Sequence, residues 1–185
     1  MNVKEAITNR MSIRSFTKGE VSNEMILEIL RAGNCAPTAG NIQPWEFIIV
    51  REHLTKKEIV NTTFLGKDEQ KGIPQKWMLL APIFIVICAD VDRSYNKYGE
   101  KSLKTLIYLD CSACIENMLI TIVDLNLGSC YVSGFREKEL SQILKLPANV
   151  IPIGILPVGY PNGMSIKRPK IDVESKIHYE WYNKK

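Results

Sequence analysis

Residues 102 to 126 read SLKTLIYLDCSACIENMLITIVDLN, the longest periodic stretch in the chain. Leu106, Ile107, Cys114, Met118, Ile122 and Leu125 fall near one stripe of a 3.6-residue period, and Leu103, Ile115, Leu119 and Val123 widen it. The spacing predicts a single helix, about 37 Å long at 1.5 Å per residue. So broad an apolar stripe calls for burial on more than one side, by a sheet of the same chain and by a partner subunit.

Outward from that helix the pattern alternates in kind. On its C-terminal side Gly128 is a stop signal, Ser129–Val132 reads as a strand, Glu137–Leu146 as an amphipathic helix ending before Pro147, and Ile151–Val158 as a last strand edged or kinked by Pro152 and Pro157. On its N-terminal side, Ile83–Ala89 and Trp45–Val50 are short runs rich in Ile, Val and Phe, which predicts two buried strands. Lys56–Phe64 reads as a helix, and the polar, glycine-containing stretch Leu65–Gln75 reads as flexible. Further back, Ser22 is an N-cap for a helix running to Gly33, and Val3, Ala6, Ile7 and Arg10 share a helical face. Helices outweigh strands, and their mixed order predicts an α+β fold with helices packed around one central sheet.

A chain of 185 residues suits one domain, 1–185, with a sizeable core. The formal charge is +4 and its cations are scattered rather than massed, which disfavours a nucleic-acid surface. No uninterrupted apolar run approaches the roughly 20 residues of a membrane span, and no export signal opens the chain, so the cytoplasm is the expected compartment. Five cysteines, an odd number, are expected to be reduced thiols.

Two loop segments carry chemistry. Arg10-Met11-Ser12-Ile13-Arg14-Ser15-Phe16 places two guanidinium forks and a hydroxyl at the end of a helix, a set suited to a phosphate or another polarised oxygen. Ala36-Pro37-Thr38-Ala39-Gly40-Asn41-Ile42-Gln43-Pro44-Trp45 runs straight into a predicted strand. Its hydroxyl and amide groups suit a heteroaromatic ring edge and a polyol.

These two segments, in this order, resemble the nitroreductase family of flavoproteins. That family opens with Arg-x-Ser-x-Arg/Lys and an aromatic residue, matched by Arg10, Ser12, Arg14 and Phe16, and continues with Ala-Pro-Ser-x-x-Asn-x-Gln-Pro-Trp, matched with Thr38 in the serine position. The resemblance extends through the long helix into Leu127-Gly128-Ser129-Cys130-Tyr131-Val132-Ser133-Gly134-Phe135, and closes with Val158-Gly159-Tyr160-Pro161 and Arg168-Pro169-Lys170. It implies a central mixed, mainly antiparallel sheet flanked by helices, with the long helix at a homodimer interface. It also implies FMN as cofactor and NADH or NADPH as reductant. Arg10, Ser12, Arg168 and Lys170 would hold the FMN phosphate, with Met11 contributing through its backbone. Arg14 would face the pyrimidine edge, where a fixed cation stabilises the charge that accumulates on reduction. Pro37, Thr38, Ala39, Asn41 and Gln43 would reach the flavin of the other subunit, and Val132, Ser133 and Gly134 would bring backbone amides to the central ring.

Two departures stand out. Met11 replaces an Arg or His common in the family, and Pro74, Gln75 and Lys76 match only loosely the Asn or Lys it places before the second core strand. The activity implied is ping-pong hydride transfer from NAD(P)H to a nitroaromatic, quinone or similar electron-poor acceptor, with the chemistry on the flavin and no catalytic side chain. The alternatives are a specialised flavoenzyme of the same fold, flavin-destroying or dehalogenating, and a non-catalytic flavin carrier or sensor. Cys111-x-x-Cys114 lies inside the long helix without the strand and turn of a redox motif, and His53 and His178 sit in unrelated segments, so core packing and no metal are expected. Asp110, Glu116 and Asn117 on the same helix are expected to make surface or interhelical contacts.

Overall fold

The computed structural model describes residues 1–69, 72–163 and 166–184. Two short helices, α1 (Val3–Asn9) and α2 (Asn23–Asn34), lead to strand β1 (Trp45–Val50), helix α3 (His53–Thr62), strand β2 (Ile83–Asp90) and helix α4 (Val91–Tyr98). The long helix follows as α5 (Ile107–Asp124), entered through a π-helical turn at Ser102–Leu106. Strand β3 (Gly128–Ser129), helix α6 (Glu137–Ile143) and strand β4 (Val150–Gly159) complete the strands and α-helices among the described residues. The sheet runs β1-β2-β4-β3. Its three strand pairings are antiparallel, so among the described residues the parallel part of the expected mixed sheet is confined to one bridge between Ser12 and Ser129.

Strand β2 has no polar face because the sheet is covered on both sides. Its odd residues, Ile83, Ile85, Ile87 and Ala89, pack with α2 and α5, while Phe84, Val86 and Cys88 pack on the opposite face with Ile59, Met78 and Leu140. Strand β4 obeys the same alternation with a break. Ile153 and Leu156 join the α2–α5 side and Ile155 the other, a change of phase between 153 and 155. The pairing slips at that point, Ile87 facing Gly154 and Cys88 facing Pro152. Pro152 thus sits beside a bulge, the kink expected from its missing N–H.

Helix α2 lies against α5 at Gly33, where a Cβ would come within 2.7 Å of Met118 Cγ and 2.9 Å of Cys114 Sγ. Gly33 is therefore a contact residue, and the helix runs one residue past it. By length and composition alone residues 102–124 would also pass for a membrane span, contrary to the expectation from uninterrupted runs. Its packing is that of a core helix: Cys111, Cys114, Ile115, Met118 and Ile122 are buried between α2 and the sheet.

Three expectations need correction. The strand predicted over Ser129–Val132 shrinks to Gly128–Ser129 plus a single bridge from Val132 to Ile155. The helix predicted over Glu137–Leu146 stops at Ile143, where Lys145 takes a left-handed φ of 53°. The long helix is regular only from Ile107. Within the stretch read as flexible, Leu65 pairs with Ile73, and residues 70 and 71 lie outside the described residues.

Candidate functional site

Helix α1 stops at Asn9, and Arg10 caps it with a non-helical ψ of 123° while its N–H still reaches Ala6 O at 2.9 Å. The chain then zips onto the far end of the sheet. Ile13 N donates to Ser129 O (2.8 Å), Thr17 N to Tyr160 O (2.9 Å), and Asn162 N to Ser15 O (3.0 Å). Ile13 and Phe16 are buried as anchors, and Ser12 and Arg14, on either side of Ile13, are exposed. Gly128 permits this docking, since a Cβ there would lie 2.7 Å from Ile13 Cγ1. Its role is close approach more than helix termination.

Beside this loop lies a cavity of about 410 Å³. Arg10, Met11, Ser12 and Arg14 from the N-terminal segment and Lys167, Arg168 and Lys170 from the C-terminal segment line it. The structure thus joins six of the sequence-predicted residues across more than 150 positions of chain. It adds Lys167, which motif reading passed over, and no described lining residue is acidic. Arg10 lies 3.6 Å from a carboxylate oxygen of Glu116. Arg14 is steadied by Trp77, its Cζ lying 5.7 Å from the ring centroid. Trp77 was not among the sequence candidates, and no local pattern marks it.

The second predicted segment lies elsewhere on the same chain. None of residues 37–43 lines the basic cavity. Gly40, Asn41 and Gln43 adopt φ of 56°, 59° and 52°, and a short 3₁₀ turn spans Ala39–Asn41. Thr38 Oγ1 accepts from Gln43 N (3.2 Å), and Gln43 Nε2 donates to Asn41 Oδ1 (3.0 Å). Pro37 and Asn41 are exposed. Trp45 Nε1 donates to Asn34 Oδ1 (2.9 Å), closing the loop at its base.

The third segment divides its roles. Val132 is buried and both its backbone groups are committed to Ile155, at 3.0 and 2.9 Å, so it supports its neighbours and has no free amide to offer. Gly134 O accepts from Phe64 N (2.9 Å), and a Cβ on Gly134 would lie 2.8 Å from Phe64 O. Gln75 is buried beside them, its N–H on Thr63 Oγ1 (2.9 Å). Ser133 opens onto a larger cavity of about 850 Å³ walled by Tyr108, Tyr131 and Phe135 among others.

On α5, Asn117 Nδ2 donates to Ala32 O (3.2 Å) and Asp110 Oδ1 accepts from Ala39 N (3.1 Å), which makes both interelement ties. Cys111 and Cys114 are buried, and desolvation pushes both thiols up to about 12, with Cys88 likewise. At neutral pH all three are protonated and behave as small apolar groups. Among the described residues no group of three His, Cys, Asp or Glu is placed to hold a metal ion.

Comparison with known proteins places these features in a family. Residues 7–160 match the model of the Nitroreductase family. The chain is 30% identical over 196 residues to an FMN reductase [NAD(P)H] of Bacillus subtilis, covering 97% of this chain and 74% of that protein. It is 33% identical over 159 residues to a protein of Archaeoglobus fulgidus whose name proposes an NADH dehydrogenase/NAD(P)H nitroreductase, covering 84% and 83%. The NfrA1 nitroreductase of B. subtilis superposes with a TM-score of 0.84 at 26% identity, covering 98% of this chain and 75% of that one.

Proposed function

The chain belongs to the nitroreductase family, and from that membership we propose that it is an FMN-dependent NAD(P)H oxidoreductase acting as a homodimer with shared sites. The observation that carries the reading is the basic cavity. Arg10, Arg14, Lys167, Arg168 and Lys170 converge on a space with a hydroxyl, Ser12, and no acidic lining residue among those described. Such a set suits the dianionic phosphate of FMN, with guanidinium forks giving paired hydrogen bonds and lysines point charge.

When bound, FMN supplies the redox chemistry, taking reducing equivalents from NAD(P)H and passing them to an electron-poor acceptor such as a nitroaromatic or quinone. The chain's own residues hold and tune. Arg168, Lys170 and Arg10 neutralise the phosphate, while Ser12 donates its hydroxyl. Arg14, held over Trp77, presents a fixed positive charge to the ring edge and favours the reduced cofactor. Ser133 and Gly134 would supply backbone toward the ring. The loop bearing Pro37, Thr38, Ala39, Asn41 and Gln43 serves the partner's cofactor, which accounts for its separation from the basic cavity of its own chain.

The exposed Tyr108 and Leu109 of α5, together with Trp181 and Tyr182 of the tail, are the apolar surface this dimer would cover. Five unpaired thiols suit a reducing compartment, and the cytoplasm is the proposed location. Steady-state oxidation of NADH with a quinone present tests the reading. Turnover that depends on FMN supports an oxidoreductase, whereas FMN binding without turnover would leave only a carrier.

A further inference from the structure

Three polar side chains from two helices grip the backbone of the 39–43 loop. Asp110 of α5 accepts from Ala39 N at 3.1 Å, Lys97 of α4 donates to Gly40 O at 2.9 Å, and Arg93 of α4 donates to Gln43 O at 3.2 Å. Arg93 is itself fixed by ion pairs with Glu46 of β1 and, at 3.2 Å, with Asp90 at the head of its own helix. The loop they hold contains left-handed residues at 40, 41 and 43, conformations that L side chains disfavour and that persist only where neighbours enforce them. The fit is close. A Cβ on Gly40 would come within 2.5 Å of both Lys97 Nζ and Tyr98 Oη.

Asp110 is the centre of the grip. Its side chain is shielded from solvent, one oxygen serves Ala39, and Oδ2 is buried with no hydrogen-bond partner. Burial pushes its carboxyl up, while the Ala39 amide pulls it back down. A buried carboxylate with one donor is unfavourable for stability alone. Its placement is explained if shaping the loop is what it does.

We propose that Asp110, Lys97 and Arg93 are positioning residues that preorganise the 38–43 loop for the flavin of the partner subunit. None of them needs to touch the cofactor. Each cross-contact fixes a backbone atom of the loop, and together they hold Thr38, Asn41 and Gln43 in one relative arrangement before any ligand arrives. The proposal rests on the flavin-binding reading above.

The test uses the full-length protein with two readouts. Deuterium exchange of peptides covering residues 34–45 reports the loop directly, and FMN fluorescence quenching reports affinity. Asp110→Ala is expected to speed exchange in that segment and to raise the FMN Kd about tenfold, the consequence of losing a charge-assisted hydrogen bond. Lys97→Met, at an exposed position, is expected to raise it only about twofold to threefold. Asp110→Asn keeps an oxygen for Ala39 and is expected to restore most of both readouts, which a merely destabilised core would not show. Unchanged exchange in Asp110→Ala and Lys97→Met overturns the proposal, as does faster exchange with unaltered FMN affinity. Wild-type protein that takes up no FMN overturns the flavin reading and the positioning role with it, and the exchange result still decides whether the grip shapes the loop.

Discussion

Replacing Arg168 by Ala should weaken FMN binding without weakening riboflavin binding, because the two ligands differ by the phosphate alone. Arg168 lies in an exposed segment and lines the basic cavity together with Arg10 and Ser12. Losing one charge-assisted hydrogen bond costs about 1.5–3 kcal/mol, a factor of roughly 10–150 in Kd. Solvent exposure argues for the lower end, so the expected loss is about tenfold at low ionic strength, shrinking as salt screens the remaining cations. Arg10→Ala should cost more than Arg168→Ala. It removes a cation and also leaves Glu116, now 3.6 Å from Arg10, as an unopposed negative charge near the phosphate. Adding Glu116→Gln to Arg10→Ala should recover part of that loss. Fluorescence titration of each variant with FMN and with riboflavin isolates the phosphate contribution as a double difference. Equal losses for both ligands, or no loss for FMN, would refute the assignment of this cavity to the phosphate.

Heterodimers combining Arg14→Glu in one subunit with Asn41→Asp in the other should recover about half of wild-type activity, since both lesions then fall in one site and the other is intact. Folded heterodimers without activity would show that each site is built within one chain. The Cys111→Ala/Cys114→Ala variant should retain NAD(P)H oxidation, and loss of turnover with flavin and fold intact would reveal a redox pair. The same thiols set an alkaline limit. Below pH 9 they are protonated in both folded and unfolded chains and add no pH dependence. Between pH 9 and about 12 only the unfolded thiols ionise, so each removes up to about 1.4 kcal/mol of stability per pH unit, and denaturant midpoints should fall less steeply in the double variant. Gly33→Ala gains about 1 kcal/mol of helix propensity but crowds Met118 and Cys114 at a cost of about 1–3 kcal/mol, so thermal unfolding should shift downward.

What could be read without coordinates was whatever local periodicity carries. The unbroken apolar run Ile83–Ala89 identified a strand buried on both faces, and the wide stripe of 102–126 identified the core helix. Helix α4 went unread because Val91–Tyr98 is polar, although Asp90 does cap it, accepting from Asp92 N and Arg93 N. Strand β3 pairs with β4 only at Gly128 and Ser129, and the 10–17 loop docks on it through Ser129 O, a long-range event with no signature at Ser129–Val132 itself. Arg10 and Arg168 are too far apart in sequence for spacing to unite them, and only the family resemblance brought them into one set. Asp110 and Lys97 look like ordinary polar residues on helices, and their grip on the loop becomes visible only when α4 and α5 are placed around it.

The central claim is that this chain passes electrons from a reduced nicotinamide to an acceptor through bound FMN. Anaerobic mixing of the FMN-loaded protein with NADH or NADPH tests it most directly. The yellow flavin absorbance should bleach on reductant and return in full when a quinone is added after the nicotinamide is exhausted. A flavin that binds but stays oxidised in the presence of both nicotinamides would contradict the account.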